Sequence, residues 1–116
     1  CGRLFEGTPA QMWHSLSKLM PLPKKTKVYC GHEYTLSNAE FACKYEPNNI
    51  DLQTRILEIR AARSKNQPTI PTTIEKELLT NPFLRASSPE LRENLNLANA
   101  TDEEVFTEIR NRKNNE

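Results

Sequence analysis

His32, Glu33 and Tyr34 stand in a row behind Gly31, and together they present an imidazole, a carboxylate and a phenol at one point of the chain. They directly follow Lys27-Val28-Tyr29-Cys30, a β-branched and aromatic run that predicts a buried strand. The carboxyl end of a strand is where α/β proteins place functional side chains. There His32 could ligate a metal or carry a proton, the alternative being an ordinary hydrogen-bonded surface histidine. His14, in the middle of an amphipathic segment, carries less. The chain has 2 histidines in all, too few for the three or four ligands of a zinc site unless cysteines or carboxylates join them. Cys1, Cys30 and Cys43 include no Cys-x-x-Cys pair, so neither a zinc knuckle nor a disulfide framework is indicated, and reduced thiols are expected. At the far end of the chain, Arg110 and Lys113 lie three apart on a predicted helix, share a face, and could hold one carboxylate between them. Cations in a last helical turn also complement the helix dipole, so the pattern alone leaves both roles open. Arg3, Lys24 and Lys25 read as solvated charges.

The elements that must position these groups are mostly helical. Thr8-Pro9 is a start signal, and Met12, Leu16 and Leu19 then recur at helical spacing, which predicts a helix from about Pro9 to Met20, stopped by Pro21 and Pro23. After Tyr34 no further strand is expected. Leu36, Ala39, Phe41 and Ala42 predict a helix ending before Pro47, and Ile50, Ile56, Leu57, Ala61 and Ala62 predict a longer one to about Lys65. Gln67-Pro68-Thr69-Ile70-Pro71 reads as an extended connector. Thr73 caps a short helix through Leu79, Asn81-Pro82-Phe83-Leu84 forms a turn, and Pro89 opens another short helix. Thr101-x-x-Glu104 is a capping box leading into Val105, Phe106 and Ile109. Phe5, Trp13, Phe41, Phe83 and Phe106 are expected in packing rather than as a base-stacking platform, because no basic stripe runs between them. The change of texture near Tyr34 suggests a domain boundary.

Composition narrows the function classes. A chain of 116 residues makes at most one domain of ordinary size, and folding at that length buries roughly two-thirds of the unfolded surface. Lys and Arg number 16 against 15 Asp and Glu, a net charge of +1 that gives no support to a nucleic-acid binder. No apolar run is long enough for a membrane span, and a soluble, intracellular chain is expected. The first residue is cysteine, which suggests a processed chain or a piece of a longer one.

Read as connected strings, Cys1-Gly2-Arg3-Leu4-Phe5-Glu6-Gly7, Val28-Tyr29-Cys30-Gly31-His32-Glu33-Tyr34-Thr35 and Asn81-Pro82-Phe83-Leu84-Arg85 resemble the glyoxalase II (hydroxyacylglutathione hydrolase) family in order and spacing. Glu46-Pro47-Asn48-Asn49 and Pro68-Thr69-Ile70-Pro71-Thr72-Thr73 are similar to that family's helical region. The resemblance implies an α/β (α+β) chain. Residues 1–34 would be the C-terminal end of a metallo-β-lactamase αββα sandwich, and residues 35–116 a mostly helical glutathione-binding domain. It implies a binuclear metal centre, usually zinc, with iron and manganese overlapping in ligand preference. His32 would be a metal ligand, the other ligands preceding Cys1. Arg3, Leu4, Phe5, His32, Glu33, Tyr34, Arg110, Asn111, Arg112 and Lys113 would line the glutathione site. Arg110 and Lys113 would grip the glycine carboxylate, Arg3 stands where a lysine is common, and Phe5 where a tyrosine is usual. The implied reaction, part of methylglyoxal detoxification, is hydrolysis of S-D-lactoylglutathione by a metal-bound hydroxide to glutathione and D-lactate. The implied setting is a cytoplasmic or mitochondrial monomer whose partner is a small glutathione thioester, with no nucleic acid and no membrane. Without the upstream ligands the 116 residues alone are expected to be inactive. A stand-alone glutathione-conjugate binding module is the alternative.

Overall fold

Short polar side chains set the helix starts. The Thr8 hydroxyl accepts the Gln11 N–H and the Gln11 side chain returns to the Thr8 N–H, so α1 (Pro9–Leu19) opens in a closed capping box with proline at its first position. The computed structural model describes all residues 1–116. β1 (Lys27–Val28) and α2 (Thr35–Tyr45) follow, and α2 starts at Tyr34 with no side-chain cap. Asn49 caps α3 (Ile50–Ser64), which ends with Asn66 in the left-handed region (φ 55°). There the Gln67 N–H reaches the Ala62 carbonyl and the Asn66 N–H reaches Arg63, the paired closure that satisfies the last free carbonyls of a helix. Asn96 closes α5 (Pro89–Asn94) in the same way. Between them lie β2 (Thr72–Thr73), α4 (Ile74–Thr80) capped by Thr73, and a single 3₁₀ turn at Pro82–Leu84. The predicted Thr101–Glu104 box opens α6 (Asp102–Asn114).

The helices close over two apolar clusters, one on each side of α2. The larger joins Phe41, Phe83, Leu91, Leu95, Val105, Phe106 and Ile109, and Met12, Trp13 and Leu16 of α1 pack on it from outside. The Trp13 and Phe106 rings lie 5.6 Å apart, tying α1 to α6. The smaller cluster, Ala39, Ala42, Leu52, Ile56 and Ile59, fills the seam between α2 and α3. Phe5 corrects the expectation that all five aromatics pack: its ring is 90% exposed, because no element covers the segment ahead of α1.

The strands also differ from expectation. β1 is two residues long rather than four and is not buried: Lys27 and Tyr29 are exposed. Its one partner is β2, antiparallel, with Lys27 opposite Thr73 and Val28 opposite Thr72. A two-stranded ribbon has no second layer to shield its faces, so the apolar pattern of residues 27–30 stays in solvent. The Thr72–Thr73 strand was not expected, since two residues beside a proline-rich connector carry no period. The architecture is thus mostly helical with one small sheet. No helix is long and apolar enough to cross a membrane.

Candidate functional site

The turn after β1 separates its side chains. The His32 and Tyr34 rings stack nearly parallel, centroids 5.0 Å apart and planes at 6°, and both remain exposed. Glu33 faces the other way, where its carboxylate accepts the Thr69 N–H and the Thr69 hydroxyl, each at 2.7 Å. Arg63 lies 3.9 Å from the same carboxylate. Burial would raise the Glu33 carboxyl, but the two Thr69 donors and the Arg63 charge outweigh it and hold it below the usual carboxylate range.

His32 and Tyr34 border a groove of about 320 Å³ that Cys1, Gly2, Cys30, Asn38, Arg55 and Glu77 also line. Arg55 is buried in its floor, donating to the Thr72 hydroxyl at 3.1 Å with Glu77 at 3.8 Å. Neither Arg55 nor Glu77 announces itself in the sequence, because the two are brought together by the packing of α3 on α4.

The cations of α6 stand at the other edge of Gly2. Arg110 is buried, with its guanidinium 4.6 Å from the Phe83 ring centroid. It donates to the Cys1 carbonyl (2.7 Å), the Gly2 carbonyl (3.2 Å) and the Asn114 side chain (3.1 Å). Burial first, and then the nearby Arg3, lower its pKa. Lys113 donates to the Ser37 hydroxyl at 2.8 Å and pairs with the Glu116 carboxylate, which Lys44 also holds. α6 therefore brings Arg110 against residues 1–2 and Lys113 against the first turn of α2, with Arg3 close by.

Other expected site residues lie apart. Arg112 is turned to a different face, where it pairs with Glu108 at 2.8 Å and covers the Tyr45 ring. Asn111, Arg3 and Phe5 are exposed and Leu4 is half-buried. Ser37 and Thr69, partners of Lys113 and Glu33, carry no motif, since each pairing bridges segments far apart in sequence.

No three histidine, cysteine or carboxylate side chains of this chain come together as a metal site. His32 offers one exposed imidazole, which does not make a site by itself. A metal held here needs ligands that these residues do not provide.

Residues 33–116 match the family described as "Hydroxyacylglutathione hydrolase C-terminus". Among similar proteins, the hydroxyacylglutathione hydrolase of Maricaulis maris is 54% identical over 113 residues, covering 97% of this chain and 44% of that protein. That of Roseobacter denitrificans is 58% identical with the same coverage. That of Rhizobium etli is 56% identical over 115 residues, covering 99% of this chain and 45% of the relative. The chain thus spans less than half the length of the curated relatives it matches. On these matches, and on a helical fold that agrees with them, the chain belongs to the hydroxyacylglutathione hydrolase family and corresponds to its C-terminal part.

Proposed function

We propose that these residues form the substrate-holding part of a longer metal-dependent thioesterase that hydrolyses S-D-lactoylglutathione to glutathione and D-lactate. Residues 1–34 end its catalytic sandwich and residues 35–116 form its helical domain, a division supported by a family match that begins at residue 33. The observation that carries the reading is the carboxylate already resting on Lys113: the ammonium and the Ser37 hydroxyl sit between α6 and α2, and the Glu116 carboxylate is bound there. Glutathione is a flexible anion with two carboxylates, and its glycine carboxylate takes the place of Glu116.

Each residue then has a bounded task. Lys113 supplies a point charge, and Arg110, with Arg3 beside it, fixes residues 1–2 and adds to the positive potential. Tyr34 offers an exposed phenol to hydrogen-bond the peptide portion and a ring for apolar contact. Binding energy from this non-reacting portion orients the thioester carbonyl. His32 contributes one imidazole toward the metal, be it zinc, iron or manganese, and the remaining ligands come from outside these residues. No step of bond breaking is assigned to a residue of this chain.

The test compares residues 1–116 with the longest native polypeptide that contains them, assaying S-D-lactoylglutathione hydrolysis. Turnover by the longer chain alone supports the reading. Metal-dependent turnover by the 116 residues alone, or none by either, overturns it. Calorimetry with a non-hydrolysable glutathione conjugate separates the binding-module alternative: affinity in an inactive longer chain, lost on Lys113→Ala, assigns binding without catalysis.

A further inference from the structure

Glu33 sits between the two side chains assigned to metal and ligand, yet its carboxylate is fully engaged elsewhere. One oxygen accepts the Thr69 main-chain N–H and the other the Thr69 hydroxyl. That hydroxyl has one proton, already given to the carboxylate, so the 2.6 Å contact between Thr69 and Thr35 Oγ1 is made with the Thr35 proton. A single acidic side chain thereby joins three segments: the turn bearing His32 and Tyr34, the connector after α3, and the first residue of α2. Tyr34 gives that helix no side-chain cap and its ring stacks on His32; the Tyr34 carbonyl accepts the Asn38 N–H, and beyond that bond into α2 the two bonds from Thr69 are what tie this turn to the connector. A carboxylate held by two donors on one residue has a fixed orientation, and the α-carbons on either side follow within 3.8 Å each.

We propose that Glu33 and Thr69 are positioning residues: the Glu33–Thr69–Thr35 clasp holds the stacked His32–Tyr34 pair in place, and Glu33 itself does not touch the substrate. The inference rests on His32 and Tyr34 being site residues, as proposed above. It adds a residue of the connector, remote from the site in sequence, to what determines how well the thioester is held.

The experiment uses the longest native polypeptide. Thr69→Val removes the hydroxyl and keeps shape and main-chain N–H, whereas Thr69→Ser keeps both donors. KM and kcat for S-D-lactoylglutathione, the thermal midpoint, and the ring-current shift that Tyr34 imposes on the His32 imidazole protons are measured for each. Thr69→Val is expected to raise KM about fivefold, with kcat changed less, and Thr69→Ser to restore it. In a Tyr34→Ala background the same substitution is expected to change KM by less than about twofold, because its effect runs through the ring. An unchanged KM and ring shift with a lowered midpoint would make the clasp structural only and overturn the proposal. An undiminished KM effect in the Tyr34→Ala background would overturn it too. Should the wild-type polypeptide not hydrolyse the thioester, the proposed function fails, and the ring shift alone decides the clasp: loss in Thr69→Val upholds it, retention sinks it.

Discussion

Arg110 and Lys113 share a helix face, but their surroundings predict different losses. Lys113 makes one hydroxyl contact, lies 5.4 Å from the Phe41 ring centroid and forms a rim ion pair that by itself contributes on the order of 0–1 kcal/mol to folding. Lys113→Ala is therefore expected to raise KM for the glutathione thioester about tenfold with kcat nearly unchanged, the signature of lost uniform binding, and to lower the thermal midpoint less than Arg110→Ala does. Arg110→Ala strips two main-chain carbonyls of their donor and bares the Phe83 face, so about 1–3 kcal/mol of stability should go with it, read in a denaturant titration of the same polypeptide. A variant pair that behaves alike would mean that burial does not distinguish the two. How legible such roles are in sequence depends on distance. The 110/113 spacing gave their common face, and the same period of roughly 100° per residue sets Arg112 away from it, toward Glu108. Glu33 was read with its neighbours His32 and Tyr34 because adjacency was the only signal; its partner is 36 residues away, and side-chain pairing at that range leaves no pattern in a single sequence.

Among the elements, those governed by local chemistry were readable. Thr8, Thr73 and Thr101 each cap where their hydroxyl predicts, and the helix from Ile50 ends at Ser64, one residue short of expectation. The capping box of α6 supports the helix that carries both cations, so Thr101→Ala should cost about 1 kcal/mol of stability. The cap lies at the opposite end of α6 from Lys113, and KM should hold; a KM rise matching the stability loss would show that the whole helix shifts. Residues 27–30 predict a buried strand and form a short exposed one, because an apolar, β-branched run states what it can bury but not what will cover it. Among these residues its partner is Thr72–Thr73, which covers neither face.

Across the whole molecule, a buried ion cluster reinforces the larger apolar cluster, tying together the end of α2, the 3₁₀ turn and the start of α5 that Phe41, Phe83 and Leu91 already join. Glu46, 1% exposed, ends α2 and accepts both forks of Arg85 at 2.8 Å and the Ser88 hydroxyl at 2.6 Å. Burial alone would raise its carboxyl, but Arg85 and Ser88 outweigh that and hold it below the usual range. A depressed carboxylate contributes stability that is present above the unfolded value, about 4.3, and is lost as pH falls through the folded value, because the unfolded chain then binds the extra proton. Unfolding titrations below about pH 5 should follow this slope. Glu46→Gln should flatten it and cost about 1–3 kcal/mol at neutral pH, because Arg85 loses its ionic partner while keeping its bond to the Leu78 carbonyl. An unaltered slope would assign the acid sensitivity to other carboxylates. The contact between the chain's first and last elements has its own consequence for biosynthesis. Arg110 closes on Cys1 across 109 residues, and Trp13 meets Phe106 on the same helix. A ribosome delivers α6 after every other element of residues 1–116, so α1 and the residues ahead of it wait for their partner while α2 to α5 are made. A stop codon ahead of Asp102 would leave them waiting permanently, exposed to proteolysis however well the intervening helices have packed.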